Sequence, residues 1–125
     1  MANPAPGYAS KPDHRVDLVP ETRRICVTFA GAVIADSNAA LRVEETGHEP
    51  VHYVPAQDVR LELLQPTAHH SHCPFKGDCS YWTIDAGGRR AENAVWAYQH
   101  PYDEADGLAG YYAFYKSRVD KIDVI

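Results

Sequence analysis

The sequence predicts a mainly β domain: a single compact unit of short antiparallel strands in curled or paired sheets, with one or two short helical turns. Three observations predict it. Apolar and polar residues alternate with period two in several short runs. Glycine, proline, asparagine and aspartate punctuate the chain between those runs. Eight tyrosines and two tryptophans, most of them after Tyr53, supply side chains that pack well on pleated surfaces. At 125 residues the chain can build one hydrophobic core without staples.

The opening segment, residues 1–15 (MANPAPGYASKPDHR), is small, polar and proline-rich. It reads as a mobile arm, which leaves residues 16–125 as the β-rich domain. In RICVTFA, Ile25, Val27 and Phe29 alternate with Arg24, Cys26 and Thr28, so one face is buried. Gly31 permits a tight turn into AVIADS, and residues 24–36 read as a hairpin. ALRVEE alternates again through Leu41 and Val43, and PVHYVP gives a short strand closed by Pro55. PAQDVRLELLQP suits either period and is read as a helical turn followed by a strand. SYWTIDAGGRRAENAVWAY places alternating, aromatic-rich runs on either side of Gly87-Gly88, which predicts a second hairpin. PYDEADGLAG is a loop with at most two helical turns, and YYAFYKSRVDKIDVI closes the sheet.

Formal net charge is −5, with acids and bases interspersed and no basic stripe. A phosphate backbone needs such a stripe, so a nucleic-acid partner is not expected. No apolar run reaches the length of a membrane span and no signal peptide is recognisable, so no membrane association is expected. Three cysteines, an odd count, argue for free thiols in a reducing, cytoplasmic setting. The expected function is that of a small-molecule enzyme or ligand-binding domain, the alternative being a non-catalytic protein-interaction module; self-association is left open.

The chemistry-bearing residues concentrate in HHSHCPFKGDCSYW, residues 69–82. Structural zinc takes cysteines in closely spaced pairs, whereas Cys73 and Cys79 are too far apart for one knuckle and no second knuckle exists. Neither a metal nor another cofactor is therefore assigned, and His69, His70 and His72 read as solvated loop residues; the alternative is a zinc-stabilised structural domain in which they join Cys73. Cys73 is a candidate nucleophile, because a neighbouring cation favours the thiolate and Lys76 follows across a turn; the alternative is a buried structural thiol. His72 and Glu92 are candidates for proton transfer, as are Glu45 and His48 in ETGHEP. Arg60 and Lys76 would anchor an anionic or carbonyl group, with Tyr53 and Trp82 as apolar walls. Trp82 and Trp96 either wall that pocket or fill the core across the hairpin. No glycine-rich phosphate loop, GxSxG elbow or HExxH pair is present.

Several segments together resemble a known family: ETGHEPVHYVP, DVR, HCPFKG with the following YW, AENAVWAY and GYYAFY. In this order, over residues 27–120, they resemble the domain-of-unknown-function family 427. The resemblance implies a mainly β fold similar to the tent-like topology of methionine sulfoxide reductase B and of cereblon's ligand-binding domain. Zinc in those groups sits on paired cysteines, which this chain lacks. A nucleotidyltransferase label sometimes attached to the family is not adopted, because no Gly-Ser turn with paired aspartates is present to hold Mg²⁺. The family pattern matches Tyr53, Arg60, His72, Cys73, Lys76 and Gly77. It continues through Tyr81, Trp82, Glu92, Asn93, Trp96 and Tyr98, which adds Tyr81, Asn93 and Trp96 to the ligand-binding candidates. Cys79 stands where the family commonly has a small residue. The resemblance brings no reaction with it.

Overall fold

A computed structural model describes residues 2–125. The strands in chain order are β1 (Val16–Pro20), β2 (Ile25–Phe29), β3 (Ala32–Ser37), β4 (Leu41–Glu45) and β5 (Val51–Pro55). They continue with β6 (Leu64–Cys73), β7 (Gly77–Ala86), β8 (Arg89–Ala97), β9 (Tyr111–Phe114) and β10 (Lys121–Val124). Every pairing between them is antiparallel. The large sheet runs β1-β4-β5-β9-β8-β7-β6, and the small one runs β10-β2-β3. The mainly β, two-sheet, single-domain architecture expected from sequence is the one observed.

The large sheet buries both of its faces, each for a different purpose. On one face Val54, Ile84, Val95 and Phe114 pack against Ile25, Val27, Phe29 and Ile34 of the small sheet. This is the main core, where alternating residues of two sheets interdigitate. On the opposite face Val43, Tyr53, Cys79, Tyr81 and Ala113 gather with Leu108 from the 3-10 segment Asp103–Leu108. The second face carries an open cavity.

Both predicted hairpins form, β2–β3 and β7–β8. Gly87, at φ +59, fits only without a Cβ, which would lie 2.6 Å from the Ala30 carbonyl oxygen at the tip of the other hairpin. PAQDVRLELLQP forms two 3-10 turns, Ala56–Asp58 and Leu61–Leu63, and then enters β6. Four features differ from the sequence reading. The VDLVP strand β1 was not expected, and it pairs with β4 along its full length. The histidine run is strand rather than loop: His69, His70 and His72 are exposed on β6, the outer edge of the large sheet. The C-terminal run divides, giving β9 to the large sheet and β10 to the small one.

The fourth difference concerns the segment read as a mobile arm, which is docked. Its amides at Asn3 and Ala5 bond the carboxylates of Asp103 and Glu104 at 2.7 and 2.8 Å. A single-turn helix, α1 (Gly7–Ser10), follows, and the Gly7 amide donates to the Pro74 carbonyl at 3.0 Å. Gly7 lies so close to Phe75 that a Cβ would stand 2.6 Å from the ring. The sequence hid this because the anchors are a ring and two carboxylates far along the chain.

Candidate functional site

Strand register builds the site. Leu41, Tyr53, Ala113, Trp96 and Tyr81 are successive cross-strand partners over β4, β5, β9, β8 and β7. Partners in such a row point to the same face with their Cβ atoms about 5 Å apart. Ala113 is the small member, and over it the rings of Tyr53 and Trp96 meet edge to face, with centroids 6.1 Å apart. The Trp96 indole N–H donates to the Tyr53 hydroxyl at 3.1 Å. These rings, with Tyr98 and Tyr115, wall a cavity of about 310 Å³.

The turn between β6 and β7 closes one side of this cavity. Pro74 fixes its φ there, and Gly77, at φ +123, restarts the chain where a Cβ would press on the His100 carbonyl oxygen at 3.3 Å. The Lys76 amide donates to the Cys73 carbonyl, and the Lys76 carbonyl accepts from Tyr102. So held, the Lys76 ammonium reaches inward to Glu45 Oε1 at 2.5 Å and lies 5.6 Å from the Tyr98 ring centroid. The other oxygen, Glu45 Oε2, is bonded to His14 Nε2 at 2.9 Å. His14 in turn stacks on Phe75 with ring centroids 3.8 Å apart. The Lys76 and Glu45 side chains are only 11 % and 9 % exposed, so their charges are compensated by each other rather than by water.

Burial pushes the Glu45 carboxyl upward, but hydrogen bonds from Lys76 and His14 and the Lys76 charge outweigh it, holding the group below its ordinary 4.5. Such a carboxyl stabilises the fold fully above pH 4.5, and the contribution fades as pH falls through the lower folded value. Glu45→Gln should therefore flatten the acid side of the stability curve, measured by urea unfolding between roughly pH 3 and 6. Some acid sensitivity will survive in that variant. Buried Glu21, bonded by Arg23, His52 and Arg42, is also held low, chiefly by the Arg23 hydrogen bonds. Unfolding curves that coincide for wild type and Glu45→Gln throughout that range would disprove the ion pair's role.

Burial pushes the phenols of Tyr53 and Tyr98 up and that of Tyr81 up to about 12, so all three stay neutral hydroxyls. Cys73 is partly exposed on the cavity wall, whereas Cys79 is buried and burial raises its thiol pKa.

Of the residues predicted from sequence, the cavity brings together Tyr53, Cys73, Lys76, Tyr81 and Trp96. It also gathers Glu45 and His48, the acid–base candidates of the ETGHEP loop. Five candidates lie elsewhere. Arg60 is exposed after the first 3-10 turn and bonds Glu62 at 3.0 Å. His72 points outward to Asp78 and Tyr102. Trp82 packs against Tyr112 beside the main core, on the face opposite Tyr81. Glu92 is exposed, and its backbone carbonyl accepts from Arg118. Asn93 takes φ +50 at the irregular register of β7 and β8, with its side chain bonded to Thr67. Its role there is to shape the strand. Sequence reasoning passed over His14, Tyr98 as a wall, and Tyr115.

Among the described residues, no three or more His, Cys, Asp or Glu side chains gather as a metal ion requires. The model of one family, described as Domain of unknown function (DUF427), matches residues 17–125, which is all of both sheets except Val16. The chain belongs to this family. For DUF427 the match spans the Glu45 and Lys76 sides of the cavity, while His14 comes from the segment ahead of it. No curated protein matches the chain.

Proposed function

We propose that this DUF427 protein binds a neutral small molecule bearing a carbonyl group, in the cavity between Lys76 and the Tyr53–Trp96 pair. The buried Lys76–Glu45 pair carries this reading. Glu45 already balances the Lys76 charge, so an anionic ligand would bring an uncompensated charge into a desolvated site. A carbonyl oxygen brings none. Lys76 has three N–H donors, and Glu45 takes one of them. The neutral hydroxyls and aromatic walls complete a site that is apolar with a few convergent polar groups. With Arg60 directed elsewhere, Lys76 is the anchor.

Cys73 is the group positioned for covalent work, as an accessible thiol on the same wall. The reaction class is left open. Three unbridged cysteines support a reducing, cytoplasmic setting.

Acetophenone, a one-ring neutral ketone, is a suitable first probe, with iodoacetamide labelling as the readout. Saturable binding should slow modification of Cys73 and leave that of the partly exposed Cys26 unchanged, since Cys26 lies on β2 away from the cavity. In the paired variant Glu45→Gln/Lys76→Met, which removes the anchor without stranding a charge, affinity should fall at least tenfold. Equal labelling of both thiols with and without ketone, or undiminished binding by the paired variant, would refute the proposal.

A further inference from the structure

A second cavity, of about 540 Å³, opens between the two sheets beside β10. Ile25, Val27, Val54, Phe114 and Ile122 form its apolar part, and Glu49, His52, Lys116, Asp120 and Lys121 form its polar part. Glu49, Val51, Trp96 and Tyr115 line this cavity and the first one as well. Strand pairing explains the shared wall. β9 pairs with β5 from Pro55 to Tyr53, and there the pairing stops. The Tyr115 amide then bonds the Ala94 carbonyl of β8 at 2.9 Å, so Val51 has no β9 partner. The β5–β9 seam opens between Val51 and Tyr115, while Val51 stays paired with Val43 of β4, and the cavities on the two faces share the residues at this opening.

We infer that the two cavities form one bipartite site for an amphipathic carbonyl compound, whose head sits at Lys76 and whose unbranched apolar tail passes Val51 and Tyr115 to lie between the sheets. This rests on the reading of the first cavity as a carbonyl site. The first cavity is at the small end of the range for ligand pockets, with room for a one-ring head. The second is larger and supplies what the first lacks, apolar surface that a methylene chain can cover. A tail there gains from every methylene taken out of water. Asp120 and Lys121, which also line the second cavity, bring charge to it, so the gain has a limit and a preferred tail length follows.

A homologous series of phenyl alkyl ketones, acetophenone upward, separates the two readings when titrated calorimetrically below each compound's solubility limit. Affinity should rise about three- to fourfold per added methylene and then level off. Ile122→Trp, filling the second cavity, should abolish that rise and leave acetophenone binding unchanged. Val124→Trp, at a more exposed point of the same wall, serves as a second variant if the first fails to fold. Acetophenone binding with no dependence on chain length would overturn the bipartite site while leaving the carbonyl site standing. Binding of no ketone at all would remove both. A rise that persists undiminished in the tryptophan variants would show that the tails lie elsewhere, and would also overturn the inference.

Discussion

Lys76→Met should lower the stability of the fold by about 3 kcal/mol, and the melting temperature by roughly 10 °C. The methionine matches the length of the lysine stem, so packing against Tyr98 is largely kept. What is lost is the partner of a carboxylate that is 9 % exposed. Removing one member of a buried ion pair typically costs about 3–5 kcal/mol, because the other is left as an uncompensated charge. The lower end applies here, since His14 still bonds the second Glu45 oxygen. Adding Glu45→Gln to the same chain should restore most of the loss, as a neutral amide needs no counter-charge. Thermal unfolding of the two single variants and the double variant gives the test. If the double variant melts as low as Lys76→Met, the cost arises from packing, and the charge argument is wrong.

Phe75→Ala should release the N-terminal segment while leaving both sheets intact. The ring is 8 % exposed and is the shared contact of Gly7, Tyr8 and His14. Deleting a buried phenylalanine side chain costs about 3 kcal/mol or more. Here most of that loss falls on one docked segment rather than on the inter-sheet core. Amide exchange should therefore accelerate at Ala5 and Gly7, whose hydrogen bonds depend on docking. Exchange at Val27, Val54 and Val95 should change far less. Because His14 would leave the Glu45 carboxylate, Cys73 should also become more reactive toward iodoacetamide as water enters. Unchanged exchange at Gly7 would mean that the backbone bonds to Asp103 and Pro74 hold the segment without the ring.

The parts of the fold that were readable in the sequence are those with one wet and one dry face. β2 alternates buried and half-buried residues without interruption, and its hairpin with β3 follows from that period. β6 carries no such signal: its run from Gln65 to His72 is almost wholly exposed, so neither period appears and the histidines looked like a loop. The two C-terminal strands are each readable as β, but the sheet each one joins is fixed by partners far away in sequence. Parity decided the site. Tyr81 and Trp82 are adjacent and therefore point to opposite faces, so only one of them can wall the cavity. Sequence alone puts both there, because the period does not say which face carries the cavity. The Glu45–Lys76–His14 cluster was only partly visible for a similar reason. Both of its bonds join residues 31 positions apart, one of them in a segment without apolar period. Arg60 qualifies by its charge and its match to the family pattern, yet its amide bonds the Ile34 carbonyl of β3 and its side chain does not line the cavity.

The two tryptophans of this protein sit on opposite faces of one sheet, each against a tyrosine. Trp96 borders the cavities, and Trp82 packs beside the main core. Each therefore acts as a separate optical gauge. Emission from a Trp82→Phe variant follows occupancy of the cavity, and emission from a Trp96→Phe variant follows the fit of the two sheets. Capture of the proposed carbonyl ligand and loosening of the core can thus be followed separately, one in each variant, without an added dye.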